Sequence, residues 1–422
     1  MTYEEALEYI HTVNWTFCKP GLERTRELCE KLGNPQDSLR FIHVAGTNGK
    51  GSFCSMLSSV LTQAGYKTGL YTSPYITVFN DRMRVDGENI PNETLARLTD
   101  KVRPVADAMT DKPTEFELIT AIAFLYFKEV GCDVVVLETG MGGRLDSTNI
   151  IKDPLLSVIT GIALDHTAFL GDSVEKIARE KAGIIKEGAP VLYGGEDESA
   201  RRIIAEVAQT LGAPMSCVDY SKLTGHDYTL SGTTFSYKTY KNVKIGLLGG
   251  YQPRNAALVL DAIEILKSRG LEVSDNAVRG GLASAVWHAR FEIISSEPLI
   301  IFDGAHNPQG IDAAVESVKL YFDDKVHVLT GVLRDKDYSY IVKRLSEIAE
   351  CATTITPDNP RALDGAQYAS LLCEHGVDAE AAESIESALA IAIKKAKASG
   401  RALVCLGSLY TYVDVIKCLK DK

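Results

Sequence analysis

Residues 43–52 read His-Val-Ala-Gly-Thr-Asn-Gly-Lys-Gly-Ser. Glycines at this spacing let backbone N–H groups converge on phosphate oxygens, and a helix start behind them adds its positive dipole end. Lys50 stands where it would reach terminal phosphates as a point charge. The stretch departs from G-x-x-x-x-G-K-[ST] in two places: Val44 occupies the first glycine position, and Gly51 separates Lys50 from Ser52. The competing reading is a glycine-rich turn with a solvated lysine. An apolar run before the loop and helical spacing after it (Phe53, Met56, Leu57, Val60, Leu61) favour the phosphate loop.

Other candidates follow apolar runs in the same way. Glu138 closes Asp133-Val-Val-Val-Leu-Glu138, the first such carboxylate after the phosphate loop. A carboxylate at a strand end can hold Mg²⁺, directly or through water; alternatively it caps a helix or pairs with Arg144. Asp165-His166 follows Leu156–Thr160, and the histidine suits a metal or phosphate role. Ser73, in Thr72-Ser-Pro74, could supply a hydroxyl ligand or merely form a turn. By spacing, Lys181 is a helical surface lysine paired with nearby acids. Asp303, His306 and Asn307 leave another strand in Phe302-Asp-Gly-Ala-His-Asn-Pro308 and could line a cleft facing the first domain, or form an ordinary Asn-Pro turn.

The elements that must carry these residues alternate. Strands are expected at 39–45, 67–71, 133–138, 156–160, 299–302, 326–330 and 402–406. Helices are expected at 2–13, 115–128, 174–185, 252–268, from about 310, and at 341–351, with a hairpin at 230–245. Strand–glycine turn–helix units of this kind build parallel α/β sheets. The boundary is expected in Ser295-Ser-Glu-Pro298, giving domains 1–296 and 297–422.

Composition agrees with such a fold. The 422 residues are 45% hydrophobic and 24% charged, with a formal charge of −11. An acidic surface argues against nucleic-acid or anionic-membrane binding. The N-terminus lacks a basic signal-peptide start, and the nine scattered cysteines show no C-x-x-C spacing. A cytoplasmic location is expected.

The ordered set resembles the folylpolyglutamate synthase/dihydrofolate synthase family of the Mur ligase superfamily. The stretches that carry the resemblance are 43–52, Thr72-Ser-Pro74, Glu138 with Gly142-Gly-Arg-Leu-Asp-Ser-Thr-Asn149, Leu164-Asp-His166, Lys181-Ala-Gly-Ile-Ile-Lys186, Gly250-Tyr-Gln-Pro-Arg-Asn-Ala256, Trp287-His-Ala-Arg290, Asp303–Pro308 and Gly407-Ser-Leu-Tyr410. The resemblance implies a P-loop NTPase-like parallel-sheet domain and a smaller Rossmann-like C-terminal domain that binds the amino acid. It implies an ATP-dependent ligase that joins L-glutamate to tetrahydrofolate, and also to dihydropteroate, through an acyl phosphate.

Carried over position by position, the family pattern puts Gly46, Thr47, Asn48, Gly49, Lys50, Gly51 and Ser52 on the ATP phosphates. Asn255, Arg290 and Asp303 fall on the nucleotide, and His306 on the incoming glutamate. Ser73, Glu138 and His166 match magnesium ligands. Lys181 matches a lysine carbamylated in the family, which as an anion suits a second Mg²⁺. Thr114, Glu115, Phe116, Glu117, Leu145, Asp146 and Ser147 match the pterin or folate pocket. Lys50, Lys181 and His306 are the expected catalytic residues. A monovalent cation and a monomeric state complete the expectation. The alternatives are a Mur-type peptidoglycan ligase and a P-loop nucleotide-binding protein without ligase activity. Choice of dihydropteroate is expected to depend on the segment from Lys19 to Arg26.

Overall fold

The computed structural model describes residues 1–12 and 21–420. Lys19 and Pro20 therefore lie outside the described residues, as does Val13, the expected end of the first helix. Internal packing divides the chain into two compact units, Met1–Leu223 with Arg254–Ala285, and Thr224–Pro253 with Val286–Lys422.

The first unit is built on an eight-stranded sheet. Its strands are β1 (Phe41–Ala45), β2 (Thr68–Tyr71), β3 (Met83–Val85), β4 (Glu88–Asn89), β5 (Val134–Glu138), β6 (Leu156–Ile159), β7 (Val191–Tyr193) and β8 (Met215–Cys217), in the order β4-β3-β2-β5-β1-β6-β7-β8. β2 pairs in parallel with β5, as do the strands onward to β8, while β3 and β4 join antiparallel. β1, β5 and β6 are wholly buried, as their unbroken apolar runs require of strands covered on both faces. They are also adjacent, so the loops after all three leave the same sheet edge, where parallel sheets bind ligands.

Helix Glu115–Val130 shows why its sequence folds as it does. Thr114 and Glu117 form a capping box at its start, and Gly131 ends it in the left-handed region at φ 69°. Its buried residues form the centre of one core cluster; helices Val174–Ala182 and Glu198–Thr210 supply another.

The second unit holds an antiparallel sheet, β9 (Leu223–Thr229), β10 (Gly232–Tyr237) and β11 (Tyr240–Ile245). Its larger sheet comprises β12 (Glu292–Ser296), β13 (Leu299–Asp303), β14 (Val326–Thr330), β15 (Ala349–Thr354), β16 (Asp378–Ala381) and β17 (Leu403–Leu406), ordered β12-β13-β17-β14-β15-β16. Only β12 runs antiparallel to its neighbour.

Two expectations change. The boundary expected at 296/297 falls between Ala285 and Val286, because β12 is hydrogen-bonded to β13, and the 224–253 segment joins the C-terminal unit. The helix expected over 341–351 stops at Ser346, and residues from Ala349 form β15 instead. The β-branched run Thr353-Thr-Ile355 and parallel pairing with β14 outweigh the helical spacing. Among the described residues no helix is long and apolar enough to cross a membrane.

Candidate active site

The phosphate loop joins β1 to helix Lys50–Gln63. Gly46 and Gly49 have φ 152° and 85°, and a Cβ at either would collide, with the Thr160 hydroxyl at the first and Asn255 Oδ1 (2.8 Å) at the second. The loop is fastened to the turn after β6. Thr47 N–H donates to Gly161 O (2.7 Å), the Thr47 hydroxyl to Ala163 O (3.1 Å), and the Thr160 hydroxyl to Asn48 O (2.7 Å). Thr160 is a residue that sequence reasoning missed; a hydroxyl directly after a buried strand was its only signal. Gly51 and Ser52 lie in the helix's first turn, with Ser52 buried.

The Lys50 ammonium donates to Gly46 O (3.0 Å) and Thr47 O (3.3 Å) and lies 3.9 Å from Glu138 Oε1. Glu138 is buried and accepts the Ser73 N–H at 3.3 Å. The Ser73 hydroxyl is buried with no hydrogen-bond partner. Arg144 does not pair with Glu138; it binds Glu180 at 2.9 Å. Glu138 thus has the Lys50 ammonium and the Ser73 amide as neighbours, and the Ser73 hydroxyl is buried on the residue that supplies that amide.

Lys181 is no surface lysine: it is 4% exposed, and its Nζ donates to Gly46 O at 2.7 Å. Burial, reinforced by the Lys50 charge, lowers its pKa to about 7 against the pull of Asp165 and Asp146. Lys50, Lys181, Asp165 and His166 line one small recess, walled by Thr139–Gly142. His166 adopts φ 49° at the start of the short helix Thr167–Leu170, leaving its imidazole half exposed beside Asp165.

The stretch 114–117 is partly spent on structure. The buried Glu117 carboxylate accepts Thr114 N–H (2.7 Å) and both Nε and Nη2 of Arg24 (2.9 Å each). Glu115 meets His11 at 3.4 Å. Phe116 packs on Gly140, where a Cβ would come within 2.6 Å of its ring. Leu145 is exposed, whereas Asp146 and Ser147 are buried.

In the second unit, Asp303 ends β13 and is almost fully buried. Its Oδ2 accepts the Tyr251 hydroxyl (3.0 Å) and Phe291 N–H (2.9 Å), and its Oδ1 accepts Ala305 N–H (2.8 Å). Burial raises its pKa, opposed first by Arg290. Arg290 donates to Ala289 O (3.0 Å) and abuts Gly304. His306 Nδ1 lies 2.9 Å from Gly304 O, a contact that places the proton on Nδ1. Asn307 caps helix Pro308–Tyr321 by accepting Gly310 N–H at 2.8 Å.

A glycine-rich loop at a parallel-sheet edge, followed in the chain by a second α/β unit, is the arrangement of a two-unit nucleotide-binding protein, and the family models identify it as a Mur ligase. The family model of the Mur ligase middle domain matches residues 44–263, and that of the Mur ligase glutamate ligase domain matches residues 289–409. The dihydrofolate synthase/folylpolyglutamate synthase of Bacillus subtilis is 38% identical, covering 99% of this chain and 99% of its own. Among solved structures, the apo form of L. casei FPGS superposes with TM-score 0.88 at 34% identity, covering all of both chains. E. coli FolC in complex with DHPP and ADP superposes with TM-score 0.85 at 32% identity, over 100% of this chain and 98% of that one. The chain belongs to the dihydrofolate synthase/folylpolyglutamate synthase family and is a ligase that joins glutamate to folate.

Proposed function

We propose that the protein phosphorylates the terminal carboxylate of a folate-type substrate with ATP and passes the acyl group to the amine of L-glutamate. The first step forms an acyl phosphate and ADP; the second forms the amide and releases phosphate and a proton. Both tetrahydrofolate and dihydropteroate are substrates, and the enzyme works as a cytoplasmic monomer. The observation that carries this reading is the recess itself, where Lys50, Lys181 and His166 gather beside a phosphate loop. Two findings on relatives support the substrates: DHPP and ADP bound to E. coli FolC, and a M. tuberculosis folylpolyglutamate synthase complexed with ADP and AMPPCP. Exposed Tyr75, Val78, Met141, Leu145, Leu164 and Phe169, on the loops after β2, β5 and β6, suit a flat pteridine ring.

The residues fit Mg²⁺. Ser73 Oγ is buried and unpartnered next to Glu138, and hard oxygen donors are what this ion selects. Among the described residues no three His, Cys, Asp or Glu converge on one point. An ion there would be held by the Glu138 carboxylate, the Ser73 hydroxyl and His166, with the remaining ligands from phosphate and water. Bound there, Mg²⁺ would supply charge screening for the transferring phosphoryl group. Lys50, whose ammonium lies 3.9 Å from Glu138, shares that screening. Lys181, once carbamylated, would offer oxygen donors to a second ion. Asn255, Arg290 and Asp303 serve the nucleotide, and His306 the incoming glutamate.

The test is ADP release with ATP, Mg²⁺ and glutamate, run side by side with dihydropteroate, tetrahydrofolate and a UDP-muramyl substrate. Turnover with both pteridines is expected, and Lys50→Ala abolishes it. Release with the UDP substrate alone overturns the reading.

A further inference from the structure

Arg290 sits between two residues with an uncommon backbone. Ala289 has φ 56° and Phe291 φ 47°, the left-handed region that bulky side chains rarely enter. Seven non-glycine residues adopt such a φ among the described residues, and these two alone are apolar, with no side-chain polar group to support the conformation. A backbone of this kind persists only where its surroundings over-determine it. Two carboxylates do so here, one on each side of Arg290. Asp303 Oδ2 accepts Phe291 N–H (2.9 Å), and Glu292 Oε2 accepts Ala289 N–H (2.8 Å). The Ala289 carbonyl in turn accepts Gly304 N–H (2.9 Å) and Arg290 Nη1–H (3.0 Å). Phe291 is fully buried and stacks on Tyr321, with ring centroids 5.3 Å apart. Asp303 already has a proposed part in nucleotide binding; Glu292 has none.

Glu292 is itself held in place. Its Oε1 is 2.8 Å from His288 Nδ1, and its Oε2 accepts the Tyr412 hydroxyl at 2.9 Å. Burial works to raise the Glu292 pKa, but the hydrogen bonds from His288 and Ala289 outweigh it and hold it below the ordinary value. The carboxylate is therefore ionised at neutral pH and only accepts, which places the His288 proton on Nδ1. The Tyr412 ring packs edge-on against Phe302, the residue paired with Glu292 across β12 and β13. We propose that Glu292 is a positioning residue: fixed by His288 and Tyr412, it holds Ala289 in the left-handed region and so sets the direction in which Arg290 leaves the backbone. The guanidinium runs alongside Gly304, where a Cβ would lie 2.8 Å from Nη1. Glycine at 304 keeps that lane open directly after Asp303. That Arg290, so aimed, meets the nucleotide rests on the proposed function.

Amide hydrogen exchange and calorimetric titration with AMPPCP, both on the full-length protein, test the link. Glu292→Met removes the acceptor. Glu292→Gln keeps an oxygen for Ala289 N–H, and His288 can switch tautomer to meet the new amide. Exchange in peptides spanning 287–293 is expected to quicken in the methionine variant and to return in the glutamine variant. Unchanged exchange overturns the proposal whatever the affinity. The methionine variant is expected to bind AMPPCP roughly tenfold more weakly, the low end for losing a hydrogen bond to a charged group, and the glutamine variant to stay within about threefold of the wild type. Adding Ala289→Gly to Glu292→Met should restore part of the affinity, since glycine enters the left-handed region freely. No restoration means that Glu292 acts by its charge alone, and the proposal falls. Arg290→Ala closes a cycle: on top of it Glu292→Met should weaken AMPPCP little further, and losses that simply multiply overturn the proposal. If Glu292→Met does not fold, Tyr412→Phe reads the same link by removing one donor to the carboxylate, and wild-type exchange there overturns it. An Arg290→Ala variant that binds AMPPCP as the wild type does defeats the nucleotide role of Arg290 and the aiming with it. Absence of AMPPCP binding by the wild type defeats the ligase reading alone, and exchange then decides whether Glu292 holds the turn.

Discussion

The Lys181 ammonium lies 2.7 Å from the carbonyl oxygen of Gly46, the first glycine of the phosphate loop, in a setting that leaves the side chain 4% exposed. Burial and Lys50 hold its pKa at about 7, far below the 10.5 of an ordinary lysine. Between those two values the unfolded chain binds a proton that the folded chain does not, so stability rises with pH across that window. Lys181→Met removes the linkage. In CO₂-depleted buffer its Tm is expected to exceed the wild type's most near pH 7 and to converge with it toward pH 10. The same variant is expected to lose turnover if the proposed carbamate forms, since the neutral amine present above pH 7 would add CO₂ to give the carbamate and a proton. Wild-type activity should therefore respond to bicarbonate, and a bicarbonate-insensitive wild type with a fully active Lys181→Met would sink the carbamylation reading.

Glu138 sits 3.9 Å from Lys50 and binds the Ser73 amide, so its charge acts on whatever the loop holds. Glu138→Gln keeps the shape and removes the charge. It is expected to lower kcat roughly a hundredfold, the scale of losing one preorganised electrostatic group. Nucleotide affinity at saturating Mg²⁺ should stay within a few-fold, as measured by calorimetric titration of AMPPCP. Equal losses in affinity and turnover would show the carboxylate to be a general binding group instead.

The strands that carry the recess were legible because each is an unbroken apolar run ended by glycine or a polar residue; 41–45, 134–138 and 156–159 all appear where the pattern puts them. β7 and β8 were not legible, being three residues each and lacking a distinctive run. Spacing misjudged Lys181, since nothing in a helix pattern reveals that one lysine turns inward beneath a neighbouring loop. The same holds for Glu117, whose partner Arg24 is 93 residues away in sequence. Local period reports local structure, whereas a buried ion pair or a lysine under a phosphate loop is made by tertiary packing.

Glu117 supplies a test of that distinction. Its carboxylate binds Arg24 through two 2.9 Å hydrogen bonds, and both side chains are under one-tenth exposed. Removing one partner of a buried pair costs about 3–5 kcal/mol, because the other charge is stranded. Glu117→Gln is expected to lower the urea midpoint with an unchanged m-value. The joint replacement Arg24→Met with Glu117→Met should recover much of the loss. The tetrahydrofolate KM should barely move in whatever folded protein remains. A large rise in KM without loss of stability would return Glu117 to the substrate pocket.

His306 differs from the residues around it. Asp303 is surrounded by three protein donors and Asn307 is committed to its cap, whereas the imidazole is only half-buried. The Nδ1 contact with Gly304 O fixes one tautomer and aims the ring. A ring held in place by a backbone carbonyl is suited to orienting an amino-acid substrate, the role proposed for it above. His306→Ala is expected to lower kcat/KM for glutamate at least tenfold and leave the ATP KM within threefold. His306→Asn, which can keep the donor to Gly304, should fall between the two. Initial rates with glutamate varied at saturating ATP, and then the reverse, separate the cases; a rise confined to the ATP KM would move His306 to the nucleotide side.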